Sequence, residues 1–546
     1  MKSPVRKRPL SGLVMMLAAV ALIGASGPAS AGSRTTLPTA QHQAERLILP
    51  VTSCSSLAHL DLDKVPGAPG TVTSAAVVTE VVIDKPVSFC DVSGVFAPNT
   101  HFELKLPTTT WHGQYVQEGC DIYCGHVPVS DYPDAGITCA AVQNGELAIA
   151  ADDEGHTGGP TDGSWAENSP GLRTVFGVTS EHSLVQMSRA VITAFYGQPA
   201  AFAYYDGCST GGREALMLAQ RYPRDFNGIV AGAPASNLAP LALFTAWMVR
   251  SNTAPDGHQI LTAEHIPALH AAVIRACGDA QGIIADPRQC GFDPASIRCP
   301  PGHPGDSCLT QAQVLAVRAF YRGPTDGQGR SLFNGGQPYG SELAWSDYFI
   351  KPAADMAAPG DTTDAAMALN YLKYMAFVPN PPDSFSLADV KFTDAEFRKL
   401  DQLGDVLYNA NDPDLRGFAA HGGKLILYHG WADQAISPWS TLDYYAAVEQ
   451  SAGGFRASQA FSRLYMIPGA YHCLAAPDRS INLADFLTPL ISWVRDGIGP
   501  GAVPADTYTQ GKITSQETVQ PYDALAPVTP AAGSLNGRYD YIGSYR

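Results

Sequence analysis

Short runs of apolar residues, each followed by a turn rich in glycine or polar residues, recur along the chain and predict strands of a buried sheet. After the run at 201–205 the pattern changes to apolar residues at helical spacing, which stop before Pro223. This stretch predicts a strand, a sharp turn and a helix. Similar apolar runs predict strands at 71–83, 102–107, 115–117, 147–151, 229–231, 423–430 and 463–467, and an amphipathic helix at 180–196.

The turn after the run at 201–205 carries the pattern Gly-x-Ser-x-Gly, at Gly207, Ser209 and Gly211. This pattern is typical of a strained turn between a strand and a helix, where a Cβ at either glycine would clash with a neighbouring element. Such a turn exposes the serine at the top of a sheet. The motif therefore predicts Ser209 as a nucleophile.

Two more polar residues directly follow predicted strands. Asp433 comes after the strand at 423–430, and His472 comes after the strand at 463–467. The chain order serine, aspartate, histidine is that of α/β-hydrolases, and open α/β sheets place their sites at these strand ends. We therefore predict an α/β-hydrolase fold in which Ser209, Asp433 and His472 are catalytic.

The strand pattern is interrupted between residues 236 and 415. This segment holds predicted helices, many proline and glycine turns and four cysteines. The simplest interpretation is an insertion into the α/β-hydrolase core, and such insertions commonly form lids over the site. We predict a catalytic domain over 32–235 and 416–546 and an inserted lid domain over 236–415.

Three other features each allow two interpretations. The glycine- and cysteine-rich loop at 118–125 is either a donor loop for an oxyanion hole or an ordinary disulfide-bearing loop. The acidic run at 152–156 is either a metal or catalytic site or a hydrogen-bonded loop below the site. Aromatic residues of the insertion line a substrate pocket or form the insertion's own core: Trp345, Tyr348, Phe349, Tyr371 and Tyr374.

The first 31 residues predict a signal peptide, with a basic start, an apolar stretch from Leu13 to Ile23 and small residues before a cleavage site near Ala31. An uncleaved membrane anchor is the alternative. The net charge of −16 argues against nucleic acid or an anionic membrane as a partner, and removal of the basic leader would lower it by four more units. We expect a secreted, extracellular protein.

Eleven cysteines in an exported chain indicate disulfides, and their odd number leaves at least one unpaired. Cys54 and Cys90 flank one predicted strand and are expected to form a bridge. The spacing of the cysteines does not fit a zinc site, and we predict no metal ligands. The partners of Cys120, Cys124 and Cys139 stay open.

Three segments resemble the tannase and feruloyl esterase family, which includes fungal tannases, feruloyl esterases and mono(2-hydroxyethyl) terephthalate hydrolases. They are Gly-Cys-Ser-Thr-Gly-Gly at 207–212, Tyr-His-Gly-Trp-Ala-Asp at 428–433 and Gly-Ala-Tyr-His-Cys at 469–473. The resemblance implies an α/β-hydrolase core with a lid. It also implies a disulfide between Cys208 and Cys473, and an oxyanion hole made by the N–H of Thr210 and a backbone N–H near Cys120.

The resemblance further implies a calcium loop in the lid, but the corresponding stretch here, Cys277–Cys290, is shortened and has only Asp279 and Asp286. Calcium prefers six to eight oxygen ligands. We therefore expect a bridged Cys277–Cys290 loop with weak or no calcium binding, and no cofactor for the chemistry. Two further lid cysteines are expected to be in disulfides, Cys299 and Cys308.

These observations predict a secreted serine esterase that hydrolyses phenolic carboxylic esters through an acyl-enzyme on Ser209. Feruloyl esters, free or attached to plant polysaccharide, are the first choice. Galloyl esters and terephthalate monoesters are the alternatives within the family. An inactive secreted binding protein and a peptidase are alternatives of other classes, and hydrolysis of a chromogenic phenyl ester separates the enzyme from the binder.

Overall fold

The computed structural model describes residues 46–82, 85–127, 139–355, 361–475, 481–509, 512–536, 539–543 and 545. The predicted signal peptide and its cleavage site near Ala31 lie outside these residues. None of the helices in the described ranges is long and apolar enough to cross a membrane.

A nine-stranded sheet in the order β1-β2-β3-β5-β4-β6-β7-β8-β9 runs through the described chain. Strands β1, β2, β3 and β5 pair antiparallel, and the pairs from β5 through β4 to β9 are parallel. The strands are β1 Gly70–Val82, β2 Lys85–Phe96, β3 Thr100–Pro107, β4 Gln114–Glu118, β5 Leu147–Asp152, β6 Phe202–Cys208, β7 Gly228–Gly232, β8 Lys424–Gly430 and β9 Ser462–Ile467.

The central strands are buried along their whole length, as the continuous apolar runs predict. Every residue of β5, β6 and β7 is buried, because helices cover both faces of a parallel sheet and leave neither face to solvent. The mostly parallel sheet with its flanking helices confirms the predicted α/β-hydrolase fold. A separate antiparallel sheet follows near the end of the chain, with β10 Leu483–Ala484, β11 Val503–Thr509 and β12 Lys512–Val519.

The longer helices flank the sheet or lie between β7 and β8. They are α1 Ser180–Tyr196, α2 Thr210–Arg221, α3 Leu238–Ser251, α4 Ile266–Cys277, α5 Gln311–Arg322, α6 Thr363–Asn370, α7 Asp394–Leu403, α8 Pro438–Ala452 and α9 Leu487–Asp496. Shorter helices lie at Ala140–Gln143, Pro170–Thr174, Trp345–Tyr348, Arg416–Ala420 and Phe455–Ser458.

The chain leaves the sheet after β7 and returns to it with β8, and helices α3 to α7 lie in between. Helix α3 is apolar on nearly all sides and contacts α5, α6 and α7. Trp345, Phe349 and Tyr371 are at most 1 % exposed and belong to the apolar core of this region, so these three aromatic residues are core. The boundaries of the lid at 236 and 415 stay a prediction.

The cysteines of the described chain form five disulfides and leave Cys139 buried and free. The pairs are Cys54–Cys90, Cys120–Cys124, Cys208–Cys473, Cys277–Cys290 and Cys299–Cys308. The sequence leaves the partner of Cys120 open. The structure pairs Cys120 with Cys124, and this disulfide closes a short loop directly after β4.

Candidate active site

Ser209 lies in the turn between the end of β6 and the start of α2. Its backbone has φ 61° and ψ −117°, a conformation that costs free energy for a residue with a side chain. The turn is tight because a Cβ on Gly207 would lie 2.7 Å from the carbonyl of Gly211. The glycine spacing therefore lets the strand and the helix approach closely enough to expose Ser209 at the turn.

Asp433 holds the ring of His472 in a defined orientation. The carboxylate Oδ2 of Asp433 is 2.8 Å from Nδ1 of His472, and Oδ1 accepts the backbone N–H of Ala435 and of Ile436, each at 2.8 Å. Since a carboxylate can only accept, Nδ1 of His472 carries the hydrogen. The Nε2 atom is then left as the basic nitrogen.

The carboxyl group of Asp433 stays ionised although it is fully buried. Burial alone would raise its pKa, but the charge of His472 and the hydrogen bonds from His429 and His472 outweigh burial and hold the pKa of Asp433 well below its usual range. A permanent negative charge at this position stabilises a positive charge on the ring of His472.

His429 is a site residue to which the sequence assigned no role. It is fully buried at the end of β8, with Nε2 3.1 Å from Oδ2 of Asp433 and Nδ1 2.8 Å from Oγ1 of Thr441. It lies inside the motif Tyr-His-Gly-Trp-Ala-Asp, so a polar residue within an otherwise apolar strand was the available signal. His429 contacts the carboxylate rather than the cavity, which makes it a positioning residue.

Ser209 and His472 line one cavity of about 320 Å³. The disulfide between Cys208 and Cys473, with Cα atoms 5.8 Å apart, joins the residues next to them. The three residues predicted to be catalytic are thus brought together: His472 bonds to Asp433 and shares the cavity with Ser209. Tyr348, one of the five aromatic residues singled out in the insertion, also lines this cavity.

Of the two residues predicted for the oxyanion hole, Thr210 lines the cavity and Cys120 has its N–H occupied by another residue. Thr210 begins α2 and lines the cavity beside Ser209. The N–H of Cys120, in contrast, donates to Oε2 of Glu214 at 3.3 Å, so it is not available to a substrate. The residues of this loop that line the cavity are Asp121, Ile122 and Tyr123.

The acidic run at 152–156 lies outside the cavity lining and forms hydrogen bonds within the fold. Asp152 accepts the N–H of Glu154 at 2.9 Å and the hydroxyl of Ser180 at 2.8 Å, and His156 Nε2 is 2.7 Å from the carbonyl of Tyr123. Oxygen atoms of Asp152, Glu154 and Glu181 lie within 4.8 Å of one another. A network of this kind fits the interpretation as a hydrogen-bonded loop below the site.

The buried carboxyl group of Asp152 gives a testable pH dependence of stability. Burial raises its pKa from the usual value to about 8, so between about pH 4 and pH 8 the folded protein binds a proton that the unfolded chain has lost, and stability falls as pH rises. Asp152→Asn keeps the shape of the protonated side chain and does not titrate. In thermal unfolding, we expect the melting temperature of Asp152→Asn minus that of the wild type to increase from pH 5 to pH 8.

The matched control for Asp152→Asn is Asp306→Asn, since Asp306 is exposed. Its melting temperature should follow that of the wild type at every pH. A difference between Asp152→Asn and wild type that stays constant from pH 5 to pH 8 would contradict the assignment of a protonated Asp152.

The two aspartates of the shortened lid loop have protein partners. Oδ1 of Asp279 accepts the N–H of Gln281 and of Ile283, each at 2.9 Å. The carboxylate of Asp286 forms an ion pair with Arg288 at 2.9 Å. Weak or absent calcium binding at this loop stays a prediction.

Comparison with known proteins gives one consistent family. The family model described as tannase and feruloyl esterase matches residues 80–530. Mono(2-hydroxyethyl) terephthalate hydrolase of Piscinibacter sakaiensis is 28% identical, over 81% of this chain and 81% of that protein. A protein of Aspergillus terreus named "Probable feruloyl esterase B-2" is 31% identical, over 68% of this chain and 70% of that protein.

A solved structure has the same fold. Feruloyl esterase B from Aspergillus oryzae superposes with a TM-score of 0.74 at 24% identity, over 89% of this chain and 96% of that one. The family match over most of the chain agrees with the three sequence motifs that surround Ser209, Asp433 and His472. This chain belongs to the tannase and feruloyl esterase family and is a carboxylic ester hydrolase.

Proposed function

We propose that this protein is a secreted serine esterase that hydrolyses phenolic esters through an acyl-enzyme on Ser209. The observation that carries the proposal is the shared cavity of Ser209 and His472, together with the 2.8 Å hydrogen bond from His472 to Asp433. A serine in a strained turn, a histidine whose Nε2 is the basic nitrogen and a buried carboxylate are the three parts of a serine hydrolase triad.

In the proposed mechanism, Nε2 of His472 takes the proton of the Ser209 hydroxyl as its oxygen attacks the ester carbonyl. The carbonyl oxygen becomes negative. The N–H of Thr210 and a backbone N–H of the 120–124 loop stabilise this charge, each by about 3 kcal/mol. His472 then protonates the leaving alcohol. Water, activated by the same ring, releases the acid and restores Ser209.

The cavity favours an uncharged acyl group. Its lining is mostly apolar, and among the described residues that line it, His472 is the one that can carry a positive charge. Asp121 lies at its exposed edge and adds a negative charge. A terephthalate monoester carries a carboxylate, which would lose water without gaining a cationic partner. A feruloyl or galloyl group is neutral, and its ring packs against apolar walls.

The insertion contributes several apolar residues to the cavity wall. Helix α3 supplies several aliphatic side chains, and Tyr348 and Met367 come from later in the insertion: Leu238, Leu241, Ala242, Thr245, Tyr348 and Met367 line the cavity. A planar hydroxycinnamoyl group therefore meets both the core and the insertion. This arrangement supports feruloyl esters as the first choice.

A comparison of methyl ferulate, methyl gallate and mono(2-hydroxyethyl) terephthalate tests this substrate preference. We expect kcat/KM to be highest on methyl ferulate and lowest on the terephthalate monoester. Asp121→Asn should reduce the difference in kcat/KM between methyl ferulate and the terephthalate monoester. It should raise kcat/KM on the anionic monoester by a factor of about 3 to 10, because it removes one repulsive charge near the acyl group. It should leave methyl ferulate nearly unchanged.

The control for Asp121→Asn is Asp383→Asn, which removes an equal charge from an exposed position outside the cavity lining. If both variants raise activity on the anionic ester equally, net charge rather than the cavity sets the preference. A wild-type kcat/KM that is higher on the terephthalate monoester than on methyl ferulate would reverse the ranking.

Export rests on two observations. The first 31 residues have the composition of a signal peptide, and five disulfides in the folded chain suit an oxidising compartment. Secretion would bring the enzyme to extracellular esters, including phenolic groups attached to plant polysaccharide. N-terminal sequencing of the protein from the culture medium, with a start near residue 32, tests this.

A further inference from the structure

The disulfide between Cys120 and Cys124 closes a ring of five residues beside the nucleophile. Its Cα atoms are 5.4 Å apart, and both cysteines are buried. The three residues between them, Asp121, Ile122 and Tyr123, all line the cavity that holds Ser209. The ring is therefore a wall of the active site.

The ring holds a backbone conformation that an open loop would resist. Ile122 has φ 49° and Cys124 has φ 59°. These left-handed values are costly for residues with a side chain, and most of all for a β-branched one such as isoleucine. The disulfide that closes this five-residue loop limits the alternative conformations to which the loop can relax.

Three hydrogen bonds tie the ring to the helix that begins after Ser209. Gly211 N–H donates to the carbonyl of Cys120 at 2.9 Å, and the Thr210 hydroxyl donates to the carbonyl of Ile122 at 2.6 Å. The N–H of Cys120 donates to Glu214. All three partners lie in the first turns of α2, so these bonds fix the position of the ring relative to the turn that carries Ser209.

The N–H groups of the ring divide into used and available donors. Those of Cys120, Tyr123 and Cys124 donate to Glu214, to the Pro160 carbonyl and to the Asp121 carbonyl. For Asp121 and Ile122, the described residues offer the N–H no acceptor. These two available N–H groups belong to residues that line the cavity, as do Ser209 and Thr210.

We propose that the Cys120–Cys124 disulfide is a positioning element that holds a backbone N–H of Asp121 or Ile122 as the second donor of the oxyanion hole. The inference rests on the proposed acyl-enzyme mechanism. The bridge closes a very short loop, so its contribution to the stability of the fold is smaller than that of a long-range bridge. Its main effect is on the rate of the chemical step.

The test is the full-length double variant Cys120→Ser, Cys124→Ser, assayed on p-nitrophenyl acetate and on methyl ferulate. Loss of one oxyanion donor lowers kcat by about 100-fold or more. We expect this fall on both esters, with KM changed by less than about threefold, since the donor acts on charge that develops in the transition state. The small acetyl group makes few contacts with the pocket, so a fall in kcat on p-nitrophenyl acetate reports on the oxyanion hole.

The matched control is Cys299→Ser, Cys308→Ser, which removes another short-range disulfide outside the cavity lining. Its kcat should stay within about twofold of wild type. Equal kcat for the two double variants would overturn the inference. A loss on methyl ferulate with full activity on p-nitrophenyl acetate would also overturn it, because the ring would then shape only the acyl pocket.

A second variant covers the case in which the double serine variant does not fold. Thr210→Val keeps the disulfide and the Thr210 N–H but removes the hydroxyl bond to the Ile122 carbonyl. We expect kcat to fall at least fivefold on both esters with the melting temperature nearly unchanged, and an unchanged kcat would overturn the inference. Wild-type protein that hydrolyses neither ester would instead refute the proposed function.

Discussion

Replacing Ser209 with alanine is expected to lower kcat on methyl ferulate by about 10⁴-fold or more. The hydroxyl oxygen is the proposed nucleophile, and no other group of the cavity would replace it. The fold should remain, because alanine accepts the backbone conformation of Ser209 as serine does and the turn depends on the glycines around it. Steady-state kinetics and thermal unfolding of the same preparation measure both effects.

The control for Ser209→Ala is Ser458→Ala. Ser458 is also a buried serine, but its hydroxyl donates to the carbonyl of Phe455 and it does not line the cavity. Its kcat should equal that of the wild type. Activity of Ser209→Ala within tenfold of the wild type would remove Ser209 as the nucleophile.

The double variant Cys208→Ala, Cys473→Ala is expected to lose both stability and turnover. The bridge joins residues 265 positions apart, and restriction of so long a loop in the unfolded chain is worth up to about 5 kcal/mol in the chain-entropy model. Turnover should fall as well, because the loop that carries His472 would lose its covalent link to the turn that carries Ser209. Denaturant unfolding and kcat on methyl ferulate measure the two effects.

The variant Cys54→Ala, Cys90→Ala separates these two effects. That bridge joins residues 36 positions apart, outside the cavity lining, so its removal should lower the free energy of unfolding but leave kcat unchanged. If thiol counting on the denatured, unreduced wild type found Cys208 and Cys473 as free thiols, this account of the site geometry would be contradicted.

The strands that carry the site were predictable because their signals are local. A buried parallel strand is mainly apolar, and β6, β7, β8 and β9 are each buried almost throughout and followed by a turn. The glycines around Ser209 mark the turn because the close approach to Gly211 leaves no room for a side chain. These local patterns were enough to predict the fold class and the order of the three candidate residues.

Strands without an apolar run could not be found in this way. The strand β12 is exposed at every position but its last, and most of its residues are polar. The edge strand β1 is also largely exposed, although its valines predicted it correctly. Exposed strands are set by their pairing partners, which a single sequence does not show.

Contacts between distant parts of the chain explain the remaining differences. The N–H of Cys120 is taken by Glu214, which lies 94 positions later, and a single sequence does not show such a contact. The bond from His429 to the carboxylate of Asp433 depends on the turn after β8. Packing places Trp345, Phe349 and Tyr371 in the core of the insertion and Tyr348 on the cavity wall.

A covalent label at Ser209 tests the central claim most directly. Diethyl p-nitrophenyl phosphate transfers its phosphoryl group to a serine that is activated as a nucleophile and releases one p-nitrophenolate. We predict that activity falls in proportion to the p-nitrophenolate released, up to one equivalent, and that peptide mass spectrometry finds the diethylphosphoryl group on Ser209. A fully inhibited enzyme with Ser209 unmodified, or full activity with Ser209 labelled, would contradict the acyl-enzyme mechanism.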